Sequence, residues 1–556
     1  MELSLRGIKS SPQWPESGIA LPGFDIETVR EHTARNPVWI HFGAGNIFRI
    51  FPAVLQQRLL ERGLAETGII ICEAFDEEII EKCFEPYDNL TVAVTLKVDG
   101  TDMSVVGSIT EALAARRSRQ RLEQIFAAPS LQMASFTITE KGYAVSDAAG
   151  QPLASIKADI EAGPDNAESL MGLVAALCLR RFRAGRLPLA LVSMDNCSGN
   201  GDKLRDAIMT IVDGWTRENF TDTPPELSLL EVPDPHGSFR EYLTNEISFP
   251  LTVIDKITPR PSETIRNRLE ALGLENAVIT RTSRNTYAAP FVNAEESQYL
   301  VAEDIFPNGR PPLEQAGVIF TDRATVDKVE KMKVCTCLNP LHTVLAIFGC
   351  LLGYTSIADE MKDPALCALI EKIGYTEGLP MVVDPGIIDP RAFIDEVINK
   401  RFPNPFVPDT PQRIACDTSQ KIPVRFGETL KAYRRSAGWR THSGPEIPAP
   451  IAGLKYIPMF FAGWLRYLMA VDDSGKPFAP SPDPMLAELR GYMSGVKLGA
   501  PGPYEGIKHI LSNAGIFGVD LYSVGLAGKT EEYFALLNAG PGAVRRVLDN
   551  LLKEEA

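Results

Sequence analysis

Ten residues, Lys333-Val334-Cys335-Thr336-Cys337-Leu338-Asn339-Pro340-Leu341-His342, bring a lysine, an asparagine and a histidine to the mouth of an apolar stretch at 343–353. Polar groups placed like this do half-buried chemistry: an ammonium can exchange a proton, an amide can donate, and an imidazole can do either. The run is the candidate active site. On one ideal helix Lys333 and His342 would stand about 180° apart and could not share a substrate. Asn339-Pro340 signals a helix start, with the asparagine as N-cap and the proline at the first helical position. A break or bulge is therefore expected between Val334 and Asn339, and a one-residue bulge brings the two side chains to about 80°. Glu330, three residues before Lys333, is placed to pair with it or relay its proton. Plainer readings stand beside these: Lys333 as a solvated charge, His342 as a core histidine, Asn339 as a cap alone. Cys335 and Cys337 with His342 raise the idea of zinc, but no second Cys/His pair stands nearby to complete four ligands, so no metal is expected.

A second constellation lies near the start. A strand at 38–42 runs into Gly43-Ala44-Gly45-Asn46 and a helix at 47–62. Glycines in that order let a backbone approach a pyrophosphate seated on a helix N-terminus, which makes Gly43, Gly45 and Asn46 candidate cofactor residues. The third glycine of the usual fingerprint is Phe48, so an ordinary tight turn remains open. A strand at 68–74 ends in Glu73, with Asp76 just beyond. A carboxylate there accepts from an adenosine ribose and repels a 2'-phosphate, so NAD is favoured over NADP, with Asp76 the first choice and Glu73 the second. A solvated acidic loop is the alternative. A strand at 187–193 empties into Asp195-Asn196, where open α/β sheets place ligands.

Strands alternating with helices, at 90–96, 103–106, 133–139 and 251–257 besides those above, predict an α/β Rossmann-type domain with a mostly parallel sheet. From Ala324 onward the pattern is mostly helical, with a proline-rich interruption at 401–411. The expected layout is a polar lead-in at 1–36, a dinucleotide-binding domain at 37–322 and a helical substrate domain at 323–556, in keeping with 556 residues. A formal charge of -15 argues against nucleic acid or an anionic membrane as main partner, while leaving room for a basic pocket. No apolar run reaches about 18 residues, and residues 1–15 lack a signal peptide's apolar stretch, so a cytoplasmic location is inferred. The nine cysteines are scattered without a CxxC pair, as free thiols in a reducing compartment would be. Monomer and small homo-oligomer both remain open.

The central run resembles the Lys-x4-Asn-x2-His signature of the mannitol dehydrogenase family, the long-chain polyol-specific dehydrogenases. It departs by one residue, reading Lys333-x5-Asn339-x2-His342, and carries Pro340-Leu341 where polyol enzymes commonly have Gly-Ser. Other blocks resemble the family in its order: Gly43 to Arg49, Thr137 to Tyr143, Asp195-Asn196 with Asn200-Gly201, Asp255 to Pro259, and Arg401-Phe402-Pro403-Asn404-Pro405. Together they cover about residues 37–550. The family includes reductases of the keto-uronates fructuronate and tagaturonate, and the Asn-Pro-Leu-His variant and longer chain are closer to these.

The resemblance implies an NAD-dependent oxidoreductase with Lys333 as general acid/base. It implies Asn339, and Asn196 from the other domain, as amide donors to the developing alkoxide, and His342 as a hydrogen-bond partner of a neighbouring hydroxyl. It brings Phe48 and Arg49 into the cofactor turn and matches Arg413 and Lys421 to the family's substrate-contacting pair. An arginine fork can hold a carboxylate but also polyol hydroxyls; Arg434, Arg435 and Arg440 add basic character nearby. The expected reaction interconverts fructuronate or tagaturonate with mannonate or altronate. A neutral polyol 2-dehydrogenase of the mannitol/fructose type is the first alternative. A catalytically silent sugar-acid-binding protein, its chemistry lost with the altered spacing, is the second.

Overall fold

Runs such as Ile69-Ile70-Ile71 have no polar face to turn to water and form strands covered on both sides. The computed structural model describes residues 1–97, 100–147, 149–217, 238–436 and 451–553, divided between two units, Met1–Val326 and Asp327–Ala556. At the centre of the first unit six strands form one sheet: β1 (Trp39–Phe42), β2 (Ile69–Glu73), β3 (Ile109–Ala114), β4 (Met133–Phe136), β5 (Leu189–Ser193) and β6 (Ile247–Ser248). Their spatial order is 3-2-1-4-5-6 and every neighbouring pair is parallel. That is the doubly wound dinucleotide-binding order, whose crevice opens where the order reverses, between β1 and β4.

Alternation along the strands feeds two cores. Ile40, Phe42, Phe136 and Leu191 pack into one, and Trp39, Ile69, Ile71, Met133 and Val192 into the other. β3 and β6 are missing from the strands that the sequence pattern predicts. Ile109-Thr110-Glu111-Ala112-Leu113-Ala114 is rich in helix formers, and a two-residue edge strand has no period to read. The helix expected at 47–62 is two, Asn46–Ile50 and Pro52–Glu61, broken at Phe51 (φ -122, ψ -75), where Pro52 has no N–H to continue the ladder. The strand expected to reach 139 stops at Phe136. The stretch 220–239, whose several prolines read as a loop in the sequence, lies outside the described residues as far as 237.

The lead-in at 1–36, expected as loop with a short helix near 26–34, has that helix and packs within the first unit. Helices Leu5–Ser10 and Ile26–Arg35 frame this segment, and Met1, Leu3, Trp14, Ile19 and Ile26 share a core with Leu90, Val92 and Phe291. A fully buried tryptophan and an aliphatic every few residues anchor the segment despite its polar composition.

The second unit is helical. Asn339–Leu352 and Tyr456–Leu468 are its most buried helices; Gly463 faces the Phe348 ring so closely that a Cβ there would overlap it. The continuous helical stretch Arg323–Leu352 contains an 18-residue window apolar enough to cross a membrane, and 78% of that window is buried inside the fold, as in a core helix. Among the described residues four π-helical turns interrupt the unit: Lys333–Cys337, Lys372–Gly378, Val397–Arg401 and Pro423–Gly427.

Candidate active site

The helix does break where the Lys-Asn-His run requires it. Lys333–Cys337 is a π turn, closed by Leu338 N–H donating across five residues to the Lys333 carbonyl at 3.2 Å. Leu338 (φ -125, ψ -61) is the joint, and the next helix begins at Asn339. Pro340 has no N–H to return to the Cys335 carbonyl, which accepts instead from Thr429 Oγ1 at 3.1 Å. One detail differs from expectation. Leu338, not Asn339, occupies the N-cap position, and no side chain caps this helix, so the Asn339 amide is not spent on capping. Lys333 is 3% exposed. Glu330 sits half-buried on the last turn before it. The thiol of Cys337 donates to the Pro390 carbonyl at 3.7 Å, and among the described residues no group of three His, Cys, Asp or Glu side chains could hold a metal.

His342 lies one turn into the helix, in a strongly positive setting. Burial, and then the charges of Arg425, Arg413, Arg401 and Lys421, push its pKa down to about 3, so the ring is neutral at neutral pH. Asp409 Oδ2 is 3.1 Å from Nε2, but the pair lacks hydrogen-bond geometry and Nε2 has no hydrogen-bond partner. Asp409 accepts from the Arg413 guanidinium instead. Lys421 Nζ donates to the carbonyls of Ile414 at 3.1 Å and Cys416 at 2.5 Å; burial, then Arg425, lowers its pKa. Phe402 leans on the imidazole with ring centroids 5.1 Å apart. Arg413 and Lys421 are thus brought to His342. Arg401, Arg425 and Asp409 had not been singled out as site residues, though the four-residue spacing of Lys421 and Arg425 was a readable signal. Arg434 and Arg435 are exposed and do not figure among the charges acting on His342; Arg440 lies outside the described residues. Lys333, Arg401 and Arg425 each stand on a π turn, a distortion enriched at functional sites.

In the first unit the glycine turn sits at the sheet's switch point. Gly43 has φ +108, and a Cβ there would overlap the Thr137 carbonyl, so only glycine carries β1 past the end of β4. Gly45 is the N-cap of Asn46–Ile50, without a capping side chain, and open space lies where its Cβ would be. A helix start left uncapped behind an open glycine fits a dinucleotide pyrophosphate. Glu73 ties the turn down: its Oε2 accepts from Ala44 N–H at 2.8 Å, and its Oε1 from Phe75 and Asp76 N–H at 2.8 and 3.1 Å. Asp76 is 3% exposed and accepts from Thr282 Oγ1 at 2.6 Å, so it is no solvated acidic loop.

The side chains of Phe48 and Arg49 lie in the core. Phe48 is fully buried and stacks on His41 of β1 at 4.1 Å, doing by ring packing what a third glycine does by close approach. Arg49 is 1% exposed and donates to Asn46 Oδ1 at 2.8 Å and the Ala289 carbonyl at 2.7 Å. Asp195 also turns inward, accepting from the N–H groups of Ile138 and Thr139 at 2.8 Å each and from the Tyr143 hydroxyl at 2.6 Å. It thereby holds Thr139 at φ 65, ψ 161, a backbone region costing about 1–3 kcal/mol for a non-glycine residue. Asn196, next to it, is exposed.

Two family models match the chain: the mannitol dehydrogenase Rossmann domain over residues 38–315 and the mannitol dehydrogenase C-terminal domain over 325–527. A D-mannonate oxidoreductase of Thermotoga maritima is 50% identical across 100% of both chains. A D-mannonate oxidoreductase of Escherichia coli is 29% identical over 90% of this chain and 92% of that one. Among solved structures, the ternary complex of Pseudomonas fluorescens mannitol 2-dehydrogenase with NAD and D-mannitol matches with a TM-score of 0.68 and 25% identity over 100% of both chains.

Proposed function

The chain belongs to the mannitol dehydrogenase family, and from that footing we propose that it interconverts a keto-uronate and its aldonate with NAD, fructuronate and mannonate first, tagaturonate and altronate as the epimeric pair. The observation that carries the choice of a sugar acid is the gathering of Arg401, Arg413, Lys421 and Arg425 about His342, in a chain whose formal charge is -15. A neutral polyol gives such a pocket nothing to neutralise. The full-length identity of 50% with a D-mannonate oxidoreductase supports the same class.

NAD, when bound, takes or supplies the hydride. Gly45 leaves its pyrophosphate room, Gly43 lets the turn pass the Thr137 carbonyl, and Glu73 fixes the turn. Lys333, nearly sealed from solvent, returns a proton to the carbonyl oxygen in reduction and removes it in oxidation. The Asn339 amide donates to that oxygen as it gains charge. His342, kept neutral, orients a neighbouring hydroxyl without adding a charge. The π turn absorbs the extra residue between Lys333 and Asn339, which weakens the reading of a silent binding protein. All nine cysteines are free, which fits work in the reducing cytoplasm.

Initial rates with NADH and NADPH against fructuronate, tagaturonate and fructose test the proposal. The expected result is a preference for NADH and a keto-uronate. A preference for fructose overturns it, and ligand binding without cofactor oxidation returns the silent reading.

A further inference from the structure

Among the cations about His342, Arg425 leaves a whole edge of its guanidinium in hand. Arg413 is paired with Asp409, and Lys421 gives its ammonium to two carbonyls. Arg425 donates through Nη1 only, to the Asn339 carbonyl at 3.3 Å and to Thr343 Oγ1 at 2.5 Å. Thr343 Oγ1 in turn donates to the same carbonyl at 2.8 Å. The guanidinium is thereby pinned by one corner to the first turn of the helix that carries Asn339 and His342. Among the described residues no carboxylate pairs with Arg425, and Nε and Nη2 have no partner. These two N–H groups lie side by side and form the fork that matches a carboxylate's two oxygens.

A half-buried cation without a counter-ion is costly to keep. Burial draws the Arg425 pKa down to about 10. Its Nη1 corner is tied to the Asn339 carbonyl and to Thr343, so an anion on its free edge would lie beside the helix start that carries Asn339 and His342. We propose that the Nε/Nη2 edge of Arg425 grips the substrate carboxylate and sets the preference for a keto-uronate over a neutral ketose. This assignment rests on the sugar-acid reading above and adds the residue that reads the acid.

The test compares fructuronate with its methyl ester, which removes the charge at nearly constant shape, using NADH and the full chain. The wild-type enzyme is expected to favour the acid in kcat/KM by about 10- to 100-fold, the range of a charge-assisted bidentate pair. In Arg425→Met that preference is expected to fall to within about three-fold, chiefly through KM. Arg425→Gln, which keeps a donor for the Asn339 carbonyl, is expected to behave alike and carries the test if the methionine variant does not fold. An acid preference that persists in the folded variants overturns the assignment. So does an equal loss on acid and ester, which would make Arg425 a positioning residue for Asn339 alone. Wild-type turnover of fructose with neither acid nor ester accepted would instead sink the sugar-acid reading beneath it.

Discussion

Inserting one alanine after Cys335 should silence the enzyme, and deleting Val334 should not. The π turn Lys333–Cys337 already holds one residue more than a regular helix. Of the nine steps from Lys333 to His342 one is absorbed there, and eight steps of about 100° leave the two side chains about 80° apart. An inserted residue makes ten steps; if the turn still absorbs only one, nine remain and the angle becomes about 180°. A lysine ammonium reaches about 8 Å from its helix axis, so a 100° rotation carries it about 12 Å, against the roughly 3 Å reach of a proton transfer. The insertion variant should therefore lose at least the roughly 10²- to 10⁴-fold that general acid–base catalysis contributes. Its NADH affinity, read by fluorescence titration, should survive, because the glycine turn belongs to the first unit. Removing half-buried Val334 takes out the extra residue itself. Eight regular steps again give about 80°, so initial rates with fructuronate and NADH should stay within about ten-fold of wild type. The geometry is refuted by an insertion variant at the wild-type rate, or by a folded deletion variant as dead as the insertion.

Lys333→Met should abolish turnover while NADH still binds, and full activity in that variant would remove the lysine from its role. Gly43→Ala drives a Cβ into the Thr137 carbonyl at a left-handed φ; a clear drop in thermal midpoint with weakened NADH binding is expected, and an unchanged midpoint would contradict the close approach. Glu360 is fully buried with neither carboxyl oxygen hydrogen-bonded, and burial raises its pKa to about 9. Below about pH 4.5 the folded and unfolded chains both hold that proton. Between pH 4.5 and 9 only the folded chain does, so stability falls as pH rises through the window, by up to about 1.4 kcal/mol per unit. Denaturant titrations of Glu360→Gln at pH 5 and pH 7 should show that slope reduced by an amount on the order of 2–3 kcal/mol over the two units; equal slopes in wild type and variant would mean the carboxyl does not titrate there.

The sheet was legible where strands kept an apolar run, at 38–42, 68–74 and 187–193, and the glycine turn with them. It was not legible at Ile109–Ala114, because alanine and glutamate carry a strand's position in the sheet without its usual composition. The fingerprint is a linear pattern and does not say which face of a short helix meets the sheet; packing decides that, and Phe48 stacks on His41.

The active-site run was legible for a different reason. A helical period can be followed only while it is kept, so one residue too many between Lys333 and Asn339 stood out as a place where the pattern had to give, and the π turn is that concession. Arg401 and Arg425 stand on equal distortions, and the prolines beside them, Pro403 and Pro423, mark a break without saying which side chain it serves. Each reads as one more basic residue on a helix. What distinguishes Arg425 is negative: a charge carried inward with its Nη1 corner tied to Asn339 and Thr343 and, among the described residues, no carboxylate paired with it. Composition cannot show a missing partner, because an acidic chain offers carboxylates in plenty; only the fold says which of them come near. The sequence could thus mark the place proposed for proton transfer, while the proposed means of telling an acid from a polyol waited on the placement of one side chain.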